Sequence, residues 1–181
     1  FILVGLEASD EETLDKLHKG YSPEDAEQNL RLYTKYGLFP HLTIMVGYYW
    51  QTREQLNKTI KTVKRFMFKG LARTLQVTLC TPLDFTPYHN ECIDKEMLLT
   101  EDYDDFDMSK LIVKTPIPHD EYYKAIREVY TIAFHPRFLA KQLKFLFGFN
   151  KKDWQFLFTY GNRAIRRVRQ HVFNLTKHQS D

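Results

Sequence analysis

Cysteine is nearly absent, with Cys80 and Cys92 the only two among 181 residues. They offer neither a disulfide framework nor a metal-ligand spacing, so this stretch is not a disulfide-stapled scaffold and holds no metal through a cysteine cluster. Long apolar runs are missing too. No stretch approaches the roughly twenty continuous apolar residues of a membrane span, and the start does not resemble a signal peptide. A cytoplasmic protein with no membrane span is therefore expected. Glycine is sparse, at seven residues, and no glycine-rich loop leads into a helix start, which is the usual cradle for phosphate. His89, His119 and His135 have no spacing that implies a shared metal. Low-complexity tracts, zinc-finger spacings and RNA-binding signatures are absent as well.

The residues present are 43 % hydrophobic, enough to bury a full domain core. Fourteen Phe and eleven Tyr point to bulky packing more than to a stacking surface. The net charge of +3 hides an asymmetry. Nine acidic residues face one lysine between Asp84 and Asp107, whereas twelve Lys or Arg face five Asp or Glu from Asp120 to Asp181. Arg163, Arg166, Arg167 and Arg169 read as a solvated helix face, and no nucleic-acid partner is expected.

Three apolar runs, FILVGLE, the stretch around LTIMVG and TLQVTLC, each stop at a polar or glycine-bearing loop and are separated by helix-like segments. This is the pattern of successive βα units. Phe1 to Glu7 is strand-like from its first residue, without a preceding cap or turn, and reads as the rear part of a longer polypeptide. Ser9 or Asp10 can cap a short helix bearing Leu14 and Leu17 that ends by Gly20. Ser22-Pro23-Glu24-Asp25 starts a second helix, with Ala26, Leu30 and Tyr33 as its apolar stripe and Gly37 as its stop. The second strand, Phe39 to Val46, is apolar on both faces apart from His41 and Thr43, as in a sheet covered by helices on both sides. Thr52 and Gln55 form a capping-box pattern for a helix reaching about Lys69, where Leu56, Ile60, Val63 and Met67 share a face and Gly70 ends it. Thr74 to Cys80 is the third strand.

Beyond Pro82 the pattern changes. A short helix near Asn90 to Lys95 and an extended acidic segment, TEDYDDFDMS, lead to three terminal helices. The first carries Tyr122, Ile126, Val129, Tyr130 and Ala133, and the second runs from Phe138 to Phe147. The third has a heptad-like seam of Trp154, Leu157, Phe158, Gly161, Ile165, Val168, Val172 and Leu175.

In parallel α/β proteins, ligands collect at the carboxyl ends of the strands. Glu7 sits at such an end, where a carboxylate can accept from a ribose diol or an ammonium group, or serve as a helix cap or ion pair. Gly47 permits close approach by a flat ligand such as adenine, or simply makes a turn. Tyr48, Tyr49 and Trp50 can wall a large planar substrate or pack the sheet rim.

These motifs carry a family likeness. Gly5-Leu6-Glu7-Ala8, Glu12-Thr13-Leu14 and Lys19-Gly20-Tyr21, followed by TIMVGYYWQT and CTPLDFTPYH, resemble the fourth-strand region and later strand ends of radical S-adenosylmethionine enzymes. The subgroup they are most similar to has an N-terminal cobalamin-binding domain and includes anaerobic magnesium-protoporphyrin IX monomethyl ester cyclase. The resemblance covers about residues 1–118, and LLTEDYDDFD matches the usual segment before the terminal helices.

The resemblance implies the later βα units of a partial (β/α) TIM-like barrel over 1–118, with a helical tail over 119–181 packed on it. It implies S-adenosylmethionine and a [4Fe-4S] cluster as cofactors of the full-length protein, with cobalamin as a subgroup feature. By position, Glu7 would contact the ribose or methionine part of the cofactor. Met45 and Gly47 would line its adenine, and Thr81 and Pro82 would stand at the neighbouring strand end. The Cys-x3-Cys-x2-Cys cluster motif is not in this sequence, and the resemblance places it before Phe1, so the chain alone is expected to be inactive. Upstream domains of the same polypeptide, an electron donor and a small-molecule or macrocyclic substrate are the implied partners. Tyr49, Trp50 and Gln51 stand where the family has Pro, Gly and Glu, and Asp84-Phe85 replaces a Pro-Gly pair. A phosphate-handling (β/α) barrel enzyme and a non-catalytic interaction module are the alternatives.

Overall fold

A computed structural model describes residues 1–148, 150–155, 158, 159, 163, 166 and 170. Strands β1 (Ile2–Glu7), β2 (Pro40–Val46) and β3 (Thr74–Leu79) form a parallel sheet in the order β1-β2-β3. Helices α1 (Glu11–Lys16) and α2 (Pro23–Lys35) connect the first two strands, and α3 (Arg53–Lys69) connects the second and third. After β3 come α4 (Pro87–Asp94), a single 3-10 turn at Tyr103–Asp105, α5 (His119–Tyr130) and α6 (Pro136–Leu146). The chain is therefore an α/β protein.

Local chemistry accounts for the boundaries. Asp10 accepts from Thr13 N–H at the start of α1, and the Ser22–Asp25 and Thr52–Gln55 capping boxes open α2 and α3. Gly70 ends α3 at φ 75°, a left-handed conformation that costs a side-chain-bearing residue more. Helix α4 begins at Pro87, earlier than expected, because Thr86 caps it and proline's fixed φ suits a first turn. Helix α5 tightens into a 3-10 turn at Thr131–Phe134, which leaves Ala133 exposed and buries Ile132 in its place.

The sheet is buried on one face only. Pro40, Leu42, Ile44 and Val46 are buried, while His41, Thr43 and Met45 are partly exposed. This corrects the expectation that β2 is covered on both sides. Strand alternation sends Leu42, Ile44, Val46, Val77 and Leu79 into the core with Leu56, Ile60, Val63 and Phe66 of α3 and Tyr122, Ile126 and Val129 of α5. The opposite face carries Leu3, which is 70 % exposed, exposed Thr74 and Gln76, and partly exposed His41, Thr43, Met45 and Thr78. Its hydroxyl, imidazole and amide groups suit water or a polar ligand. The apolar residue count along β2 concealed this asymmetry, because Met45 is apolar yet belongs to the accessible face.

Helix α5 joins this core and is tied to α3 by the Arg53–Glu121 and Lys64–Glu128 ion pairs. The acidic segment lies on the surface, and an isolated antiparallel bridge between Leu98 and Val113 closes its two flanks. Trp154 and Phe158 of the tail seam stack on each other at 5.8 Å and stay exposed. Leu157, Gly161, Ile165, Val168, Val172 and Leu175, with Arg167 and Arg169 of the basic face, lie outside the described residues. Among the described residues no helix is long and apolar enough to cross a membrane.

Candidate functional site

Glu7 and Gly47 end adjacent parallel strands and so share the carboxyl rim of one sheet, with Thr81 and Pro82 just beyond the end of β3. A β-bulge sets the geometry at Glu7. Gly5 pairs with Thr43 and Glu7 with Ile44, so Leu6 is the extra residue. Glu7 adopts φ 57°, a left-handed conformation that costs an L-residue about 1–2 kcal/mol. That twist folds its side chain back over Gly5. A Cβ at Gly5 would lie 2.6 Å from Glu7 Oε1 and 3.7 Å from Thr43 Oγ1, which puts the carboxylate on the accessible sheet face. Lys19 Nζ donates to Glu7 Oε1 at 3.3 Å, and the Glu7 side chain is only 14 % exposed.

The Tyr21 hydroxyl reaches the two carbonyls beside the bulge, at 2.6 Å from Gly5 O and 3.0 Å from Leu6 O. Burial, reinforced by the Glu7 charge, pushes the Tyr21 phenol up to about 12, so it remains a donor through neutral pH. The Lys19-Gly20-Tyr21 turn thus supplies a cation and a hydroxyl to the end of β1, with Gly20 at φ 66° making the bend.

Polar atoms without partners gather behind this rim. Asp10 Oδ2, Tyr48 OH, Gln51 Nε2 and Thr81 Oγ1 are buried and make no hydrogen bond. Burial drives the Tyr48 phenol well above its ordinary value, with Cys80, Glu7, Tyr21 and Asp10 adding to the shift. Tyr48, which follows β2, thus lies near Glu7 at the end of β1 and Cys80 at the end of β3. Gln51 is wholly buried, and its Oε1 accepts from Gly47 N–H at 2.8 Å.

The aromatic loop packs inward more than it lines a wall. Tyr48 is 1 % exposed and stacks on Trp50 at 5.1 Å, and Tyr88 from α4 meets Tyr48 and Trp50 edge-on. Tyr49 and Trp50 keep partly exposed surfaces, with Lys16 Nζ 4.9 Å above the Trp50 ring. Gly47 is also covered. Its φ is 92°, and a Cβ there would come within 2.4 Å of Leu111 Cδ1. Met45 lies on the accessible face, whereas the side of Gly47 where a Cβ would point is taken by the segment entering α5.

Tyr21, Gln51, Tyr88 and Leu111 had no site role in the sequence reading. Tyr21 was legible as part of a motif but not as a contact. Leu111 is far from Gly47 in the chain, and no spacing rule connects them.

Helix starts near the rim carry a capping side chain and an acidic first turn. The N-terminal amides of α1 and α3 are capped by Asp10 and Thr52, and Glu11, Glu12 and Glu54 occupy the first turns. Such ends disfavour phosphate, which needs free amides and no competing negative charge.

Cys80 and Cys92 are free and buried, and the Tyr88 hydroxyl lies beside both. Burial raises the Cys80 thiol far above its ordinary range and the Cys92 thiol to about 11. Neither is a thiolate at neutral pH, so both are poor metal ligands and poor nucleophiles. Both thiols should therefore stay silent to an aromatic disulfide reagent at mildly alkaline pH and react stoichiometrically in guanidinium. Rapid labelling of the native protein would contradict their burial. Among the described residues no three His, Cys, Asp or Glu side chains converge to hold a metal ion.

No family model and no curated protein matches the chain.

Proposed function

We propose that the chain is the later part of a radical S-adenosylmethionine enzyme, forming the last βα units of a partial (β/α) barrel and a helical segment that packs against it. The observation that carries this reading is the placement of Glu7. Its carboxylate ends one parallel strand, is turned by a bulge onto the accessible sheet face, and shares a rim with Gly47 and Thr81. The accessible face then corresponds to the barrel interior. Its His41, Thr43, Gln76 and Thr78 side chains would meet cofactor or substrate instead of a second layer of helices.

An adenosyl group fits the residues at Glu7 better than at Gly47. Glu7 can accept from a ribose diol, and Thr43 and Met45 lie beside it on the same face. The Gly47 side is held by Leu111, so the adenine would lie along Met45 and the β3 end at Thr81 and Pro82. The thiols do not fit an iron-sulfur cluster, since both are buried and protonated. On this reading the cluster ligands belong to preceding sequence, and this chain contributes binding and orientation. When bound, S-adenosylmethionine supplies the 5′-deoxyadenosyl group for radical chemistry. Substrate contact falls to Tyr49 and Trp50, whose partly exposed rings lie next to this rim.

The test is reductive cleavage. The polypeptide with its upstream sequence, reconstituted with iron and sulfide and reduced by dithionite, should convert S-adenosylmethionine to 5′-deoxyadenosine and methionine. Glu7→Ala should lower that rate by about tenfold or more. A colourless polypeptide whose coding sequence has no cysteine triplet, and which leaves S-adenosylmethionine intact, would reject the assignment.

A further inference from the structure

We propose that Tyr21 is a positioning residue that aims the Glu7 carboxylate at a ligand on the accessible sheet face, using the space left by the missing side chain of Gly5. The inference rests on the reading of Glu7 as a ribose- or ammonium-accepting group.

A bulge takes backbone carbonyls out of register with the neighbouring strand, and buried carbonyls left without donors are costly. At the bulge the one Tyr21 hydroxyl proton is shared between Gly5 O at 2.6 Å and Leu6 O at 3.0 Å, and Leu6 O also accepts from Ala8 N–H at 2.7 Å, so the phenol is the side-chain donor to the Gly5 carbonyl and a second donor to that of Leu6. The next residue, Glu7, takes the left-handed conformation, and its Oε1 occupies the volume a Gly5 Cβ would claim. Three features separated in sequence thus converge on one carboxylate: a hydroxyl that fixes the bulge, a glycine that clears the space and Lys19 as counter-charge. A carboxylate needed only for an ion pair with Lys19 could be presented from ordinary extended backbone. The strained conformation has a use if the carboxylate must point across the sheet. Strain of this kind collects at ligand sites. The Tyr21 phenol, held up to about 12, keeps its donating proton across the working pH range.

The test combines binding with structure. S-adenosylmethionine would be titrated calorimetrically into the cluster-reconstituted polypeptide with its upstream sequence, unaltered and as Tyr21→Phe, Glu7→Gln and the double variant. Each single change should weaken binding about tenfold, and the double variant should bind no worse than Glu7→Gln, because Tyr21 acts through Glu7. Losses that multiply to about a hundredfold would mean an independent structural role and overturn the proposal. So would unchanged binding in Tyr21→Phe, or in Glu7→Gln. Gly5→Ala, which leaves the phenol in place but evicts the carboxylate, should reproduce the loss and serves if Tyr21→Phe folds poorly.

A crystal structure of Tyr21→Phe is the ligand-independent arm. Glu7 should return to negative φ with its carboxylate off Gly5, and retention of the bulge with the carboxylate in place would overturn the inference. If the unaltered protein binds no S-adenosylmethionine while this structure releases Glu7, the adenosyl assignment falls and the positioning role stands.

Discussion

Gly47→Ala should destabilise the protein by about 2–5 kcal/mol, measured as a lower midpoint in urea with an unchanged slope. Two separate costs add. Holding a side-chain-bearing residue at a left-handed φ of 92° costs about 1–2 kcal/mol. Forcing a methyl group to within 2.4 Å of Leu111 Cδ1, a buried side chain distant in sequence but packed against Gly47, costs about 1–3 kcal/mol of overpacking. A domain of ordinary stability holds only about 5–15 kcal/mol, so the change is large. The two costs can be separated. Leu111→Ala opens the space, so the double variant should lose less than the sum of the single losses, while the backbone cost persists. A Gly47→Ala variant within about 0.5 kcal/mol of the parent would show that Leu111 does not press on the β2 end.

The same glycine marks the limit of what was legible in the sequence. Its place at a strand end follows from the apolar run that precedes it, and so do the three strands, the capping boxes of α2 and α3 and the stop at Gly70. These are local signals, set by hydrogen bonds and side-chain periodicity within a few residues. What covers Gly47 is not local, because Leu111 arrives by way of α3, β3 and α4. The accessible sheet face was misread for a related reason. Alternation in β2 is polar-apolar only at His41 and Thr43, and Met45 breaks the pattern although its position on the strand fixes its side. The bulge at Leu6 had no signature beyond a glycine followed by a carboxylate. The hydroxyl that bonds to it, that of Tyr21, lies one helix away in a turn whose motif was visible but whose reach was not.

Tyr122→Ala should cost about 3–5 kcal/mol, the usual range for deleting a fully buried aromatic ring, and its consequences should reach the rim. The ring belongs to the core shared by α3, α5 and the sheet, and its hydroxyl donates to Gln51 O at 3.2 Å. Gln51 in turn holds Gly47 N–H through its side-chain oxygen, so helix α5 supports the loop that follows β2. Removing the ring takes away the support of Gln51 and so loosens the loop that carries Trp50, the residue next to it in the chain. In a Trp154→Phe background Trp50 is the only tryptophan left, and its emission reports this region directly. Tyr122→Ala should shift that emission to the red at denaturant concentrations where the protein is still folded. Tyr122→Phe keeps the packing and loses one hydrogen bond to a buried carbonyl, so it should cost about 1–3 kcal/mol and leave the emission in place. An equal red shift in both variants would assign the coupling to the hydroxyl. A shift in neither would mean that the rim loop holds its shape without α5.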